Sequence, residues 1–183
     1  MLAADRLLLE TNMKQKAIQL REKELNLFVE NFSSIGTQAA VLAGFIITCF
    51  VVIAIPDTAH VLAKGLLHFF AIFSICANII CVSMSTIVTV WGSGMALRGA
   101  EGSMDEAVDG MNNERGLIFK SFAMGLFGNL CTVTCACWIL MDTPLALVGS
   151  LMILYAFYII ATNTRRISQK FSLGGGGNLL LEI

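Results

Sequence analysis

Charge is what this sequence has least of where it would matter most. Only 14% of its 183 residues are Asp, Glu, Lys or Arg, and four stretches, at about 36–55, 65–91, 121–141 and 143–162, contain none. A soluble domain needs polar surface to cover four such segments, and this chain has too little of it. With a mean hydropathy of +0.77, a bilayer is the expected solvent. Each stretch reaches or exceeds the roughly 20 residues that span a hydrocarbon core as a helix.

Other absences narrow the chemistry. There are two histidines, His60 and His68, both near the start of the second apolar stretch. No nucleophile, base and orienting group can be assembled from the charged residues, which lie in loops and tails, so no catalytic residue is assigned and an enzyme is not expected. An ion pump or proton relay requires ionisable groups inside the spans, and none is there. The six cysteines, Cys49, Cys76, Cys81, Cys131, Cys135 and Cys137, all fall inside predicted spans, where they act as small apolar residues rather than as a disulfide framework. Cys131 and Cys135 share a helix face, but with no convergent His or carboxylate no metal is expected. Glycines 92, 94, 99 and 102 lack the strand-to-helix setting and the lysine of a phosphate loop. A net charge of −1 gives nucleic acid nothing to bind.

What is present predicts an all-α protein of four transmembrane helices with an amino-terminal amphipathic helical extension. Three parts follow: an extension over 1–35, a membrane domain over 36–170, and a glycine-rich tail over 171–183. The first 30 residues hold five basic and five acidic side chains, so they do not suggest a secretory leader. They contain no Gly or Pro, and Leu9, Met13, Ala17, Leu20 and Leu27 recur at helical spacings. Asn31, Ser33 and Ser34 suit a hinge or cap before the first span. The segment 98–115, with five acids and three glycines, predicts a solvated loop with a short helix from Ser103 to Gly110, capped by Ser103 and Glu106. Its acids lack the ordered spacing of a calcium loop. Eleven of the twelve basic residues lie before the first span, between the second and third, or after the fourth; Lys64 is the exception. That bias puts both termini on the cytoplasmic or equivalent side.

Gly36, Ala40 and Gly44, four residues apart, form a candidate packing ridge on the first span, widened by Ala39 and Ala43. Either another span or a second copy of the chain can fill it. Phe45, Thr48 and Val52 are candidate lining residues of a narrow passage. His68 and Asn78 are the candidate contacts for a pigment or other ligand, Asn78 also suiting a bridge between helices. Bound lipid or pigment is the only cofactor class these residues suggest. Membrane lipids, with other membrane subunits or copies of itself, are the expected partners.

The order of features resembles the Orai calcium-channel subunits: four spans, cytoplasmic termini, a helical extension before the first span and a polar connection between the second and third. The likeness is carried by TQAAVLAGF (37–45), by NNERGLIFKSFAMGLFGN (112–129) and by Cys137–Trp138, and covers roughly residues 20 to 170. It implies a pore lined by the first span. Phe45 and Thr48 then stand in the hydrophobic section, Thr37 and Ser33 where the family has basic residues, and Val52 where it has its filter glutamate. Thr132 stands near the place of the third-span acid. The shared scaffold therefore carries no expectation of calcium selection by a carboxylate ring. Two functions follow. One is a non-catalytic accessory subunit stabilising a larger membrane complex, such as a photosynthetic or respiratory one. The other is an Orai-like pore subunit with altered or lost calcium selectivity.

Overall fold

The computed structural model describes residues 2–53, 55–56, 60–99 and 102–172. The glycine-rich tail lies outside them. Four helices make up the described chain: α1 (Leu2–Val52), α2 (Val61–Arg98), α3 (Ser103–Leu140) and α4 (Thr143–Ser172). All four are long and apolar enough to cross a bilayer, and the protein is an integral, multipass membrane protein.

Three expectations about helix ends need correction. No hinge interrupts α1 at Asn31, Ser33 or Ser34; the helix runs through them for 51 residues, about 76 Å at about 1.5 Å per residue. Nothing in that stretch removes a backbone donor, and Phe32 and Gly36 on either side are buried. Nor is 98–115 a loop, because α3 begins at Ser103 and continues unbroken to Leu140. The reason lies among the acids: Ala107, Val108, Met111 and Ile118 occupy one face and are buried. The cap also differs. Glu106 N–H donates to the Gly102 carbonyl at 3.3 Å, which makes Gly102, at φ +97°, the capping residue one position before the expected Ser103. A left-handed backbone there favours glycine.

The chain divides into two compact units. The first comprises Met1–Gln38 with Cys81–Ile118. Its α1 core row is Leu25, Phe32 and Gly36. Gly36 faces Ser85 of α2 so closely that a methyl group there would collide with the hydroxyl. Gly92 of α2 makes the same allowance for Met111 of α3, whose Sδ would lie 2.5 Å from an added Cβ. Cys81 Sγ lies 3.7 Å from the Ile118 carbonyl. At the polar end, Arg21 pairs with Glu24 at 2.9 Å and with Asp105 of α3 at 2.9 Å. The Glu24 hydrogen bond and charge, with Asp105 and Asp109 adding, hold Arg21 above its ordinary value, so it stays a cation.

The second unit comprises Ala39–Ile80 with Phe119–Ile183. Ala39, Ala43 and Ile46 of α1, Ala71, Ser74 and Asn78 of α2, and Thr132 of α3 are among its buried positions. Ser74 Oγ donates to the Gly125 carbonyl of α3 at 2.7 Å, and Asn78 Nδ2 donates to the Ser74 carbonyl at 2.8 Å. Asn78 Oδ1 is buried without a partner. Gly128 brings α3 within van der Waals contact of the α2 backbone: a Cβ there would lie 3.1 Å from Ser74 Cα. Such contacts join helices where lipid supplies no hydrophobic drive between them. Within this unit the fourth helix packs through buried Ala146, through Gly149 beside Cys137, and through the Phe157 ring, 5.7 Å from that of Phe127. Most of its side chains are otherwise exposed.

Candidate functional site

The packing ridge sits on a different face from the one its spacing suggests. Gly36 is buried against Ser85, while Ala40 and Gly44 are exposed, and nothing lies within 4 Å of a Cβ built on Gly44. The face that α1 buries instead continues from Phe32 and Gly36 through Ala39, Ala43 and Ile46, alternating steps of three and four. Such alternation stays on one side of a helix of 3.6 residues per turn. A strict four-residue repeat drifts by about 40° at each step. Gly36, Ala40 and Gly44 therefore turn progressively away from the packed side.

This drift carries Ala40 and Gly44 onto a face that the chain leaves uncovered. Phe45 (64% exposed), Thr48 and Val52 (72%) occupy it together with Val41. No charge is present. Thr48 Oγ1 donates to the Gly44 carbonyl at 2.9 Å and Thr37 Oγ1 to the Ser33 carbonyl at 2.8 Å, so both hydroxyl protons are used within the helix and only oxygen lone pairs face outward. Replacing a cation's hydration shell takes rings of carbonyls or carboxylates. This face can pack against a helix, contact lipid, or line an apolar passage.

The two candidate ligand contacts are in different surroundings. Asn78 is 0% exposed and its carboxamide lies against Gly125, where an added Cβ would meet it at 2.6 to 2.9 Å. Its hydrogen bonds go to Ser74 of its own helix, and fully buried it offers no surface to a pigment, contrary to that expectation. His68 is half-buried. Its Nδ1 lies 2.6 Å from the Lys64 carbonyl, which can only accept, so Nδ1 is the donor of this contact. The Phe50 ring meets it edge-on at 5.3 Å. Beside it is a cavity of about 20 Å³, lined by Ile46, Cys49, Leu67, Ala71 and Thr132 among others. That holds one water and is far below the several hundred Å³ of a cofactor pocket. Among the described residues, no three His, Cys, Asp or Glu side chains converge as a metal site.

Searches against protein-family models, curated proteins and solved structures find no match.

The polar contacts that organise the helices escape the reading of sequence. Ser74, Ser85 and the Gly125–Gly128 pair look like incidental small residues in apolar runs, and only the close approach of two helices gives them roles. Arg21 is likewise one basic residue among five in its segment until Asp105 is placed beside it.

Proposed function

We propose that this chain is a non-catalytic membrane subunit that acts by packing against other transmembrane helices and so stabilises a larger membrane assembly. The observation that supports this reading is the exposure of Ala40 and Gly44 side by side on α1. Small side chains make poor contact with lipid tails but let another helix backbone approach closely. The bias of the basic residues supports a topology with both termini and the α2–α3 turn on the cytoplasmic or equivalent side. Gentle extraction from its native membrane, followed by cross-linking mass spectrometry, tests the proposal: cross-links from residues flanking the α1 span to other membrane chains are expected. A solitary chain in that extract counts against it.

A second reading, an Orai-like pore subunit, draws support from Phe45, Thr48 and Val52 lying in one uncovered row. In that reading copies of α1 surround an axis, and the uncharged row gives a passage with little ion selectivity. Reconstituted protein then conducts cations, and Val52→Glu shifts the conductance toward divalent ions by placing an acid at each copy's row end. Flux absent from both wild type and Val52→Glu eliminates the pore.

A further inference from the structure

At the end of the α3–α4 pair remote from their connecting turn, cations gather without acids. Lys120 immediately precedes the uncharged run 121–141, and Arg165 and Arg166 follow the run 143–162 by three and four positions. These positions lie where a span meets the headgroup layer, and long basic side chains extend their charge into it. None of the three has an ion-pair partner among the described residues. The one acidic residue described in the second unit is Asp142, just beyond the far end of α3, 22 positions from Lys120 and so about 33 Å away along the helix. Glu114 precedes Lys120 by six positions, which turns it about 120° around α3.

The two helices bring two of these cations to one level. α3 and α4 run antiparallel, with Cys137 beside Gly149 and the Phe127 ring 5.7 Å from that of Phe157. Carried seven residues beyond the two rings, this register sets Lys120 level with Thr164, and Arg165 lies one residue rise, about 1.5 Å, further on. Helix phase selects the same two. Lys120 is one heptad from Phe127 and so within about 20° of it around α3; Arg165 is within about 80° of Phe157 around α4, whereas Arg166 is about 180° away. Beside the cations the seam is open: Phe127 and Phe157 stay 46% and 39% exposed although their rings are neighbours, and Met124, one turn from Lys120, is exposed as well. An apolar strip that begins at two level cations and runs into the bilayer fits an anionic phospholipid, whose phosphate meets the charge and whose acyl chain covers the strip. We infer that the Lys120 end of the α3–α4 seam is a binding site for one anionic phospholipid. Its consequence is to tie α4 to α3, and α4 has most to gain, since Ala146 is its one buried side chain among the described residues. Inorganic phosphate would meet the cations and leave the strip uncovered. The inference does not depend on what covers Ala40 and Gly44, nor on which side of the membrane this end faces.

Native mass spectrometry of the full chain, released from nanodiscs holding phosphatidylglycerol and phosphatidylcholine in equal amounts, provides the test. Wild type is expected to retain one phosphatidylglycerol in preference to phosphatidylcholine by at least about tenfold, two neighbouring cations each contributing several-fold. Lys120→Gln together with Arg165→Gln should abolish the preference, Lys120→Arg should keep it, and Arg166→Gln should change it by less than about threefold. Circular dichroism checks that helix content is kept. Should the double variant misfold, Arg165→Gln alone, at an exposed position, should still lower the preference several-fold. Thermal unfolding in detergent gives an independent reading: phosphatidylglycerol should raise the unfolding temperature of wild type, and millimolar inorganic phosphate should not. Equal retention of the two lipids by wild type overturns the inference. So does a double variant that keeps the preference. An Arg166→Gln variant that loses as much as Arg165→Gln overturns it too, by reducing the effect to general surface charge, as does stabilisation by inorganic phosphate equal to that by the lipid, which makes the ligand a soluble anion.

Discussion

Replacing Gly125 with valine is expected to separate α2 from α3 within the second unit and to cost about 3 kcal/mol of stability. A Cβ at this position falls 2.6 Å from Asn78 Oδ1, 2.8 Å from its Cγ and 2.9 Å from its Nδ2, so the whole carboxamide stands in the way. Asn78 cannot yield outward, being 0% exposed, nor along its own helix, since Nδ2 is bonded to the Ser74 carbonyl and lies 3.3 Å from the Ser74 hydroxyl. The helices must part instead. Parting them stretches the 2.7 Å bond from Ser74 Oγ to the Gly125 carbonyl and leaves its donor to apolar surroundings. The usual benefit of removing a helical glycine, about 1 kcal/mol, is smaller than these losses, and valine recovers only part of it. Denaturant titration in mixed micelles, followed by circular dichroism, measures the change. Asn78→Ala in the Gly125→Val background should recover at least about 1 kcal/mol, because the two side chains compete for one space. Equal stability of Gly125→Val and wild type would show that α2 and α3 do not meet here.

The extent to which this fold is legible in the sequence follows from what each signal measures. Runs without charge report on solvent, so the four spans of α1 to α4 can be read directly from 36–55, 65–91, 121–141 and 143–162. Charge density reports only on exposure, and it misleads where a helix is wet on most of its surface. Asp105, Glu106, Asp109 and Glu114 make the start of α3 look like a loop, while Ala107, Val108 and Met111 between them carry it into the core of the first unit. Polar residues at Asn31, Ser33 and Ser34 suggest a break for a similar reason. They are exposed positions on a helix whose other side is held by Phe32 and Gly36. The candidate site was legible only as residue types. Small residues spaced by four fit a packing stripe on paper, and the winding of the helix decides which of two adjacent stripes is buried. Partner-dependent features such as Ser74 with Gly125, or Gly36 with Ser85, have no signal in a single helix at all.

That distinction between adjacent stripes gives the second large effect, in which two neighbouring alanines respond in opposite ways to the same substitution. Ala39→Leu adds a branched side chain at a position that is 0% exposed, within a row that continues through Ala43 and Ile46. Overpacking of this kind costs about 1 to 3 kcal/mol, and the denaturant titration should register the loss in the isolated chain. Ala40→Leu places the same atoms on the uncovered face, where they meet nothing in the chain, so the isolated protein should keep its stability to within about 0.5 kcal/mol. Its effect should appear in the native membrane instead. A leucine at position 40 holds another backbone away from Gly44, so the assembly seen on a blue-native gel should shrink or dissolve while the subunit remains folded. The helix phase of α1 is wrong if Ala40→Leu destabilises the isolated chain as much as Ala39→Leu does. If Ala40→Leu leaves both the subunit and its assembly intact, lipid covers this face, and the packing role proposed for it fails while the fold stands.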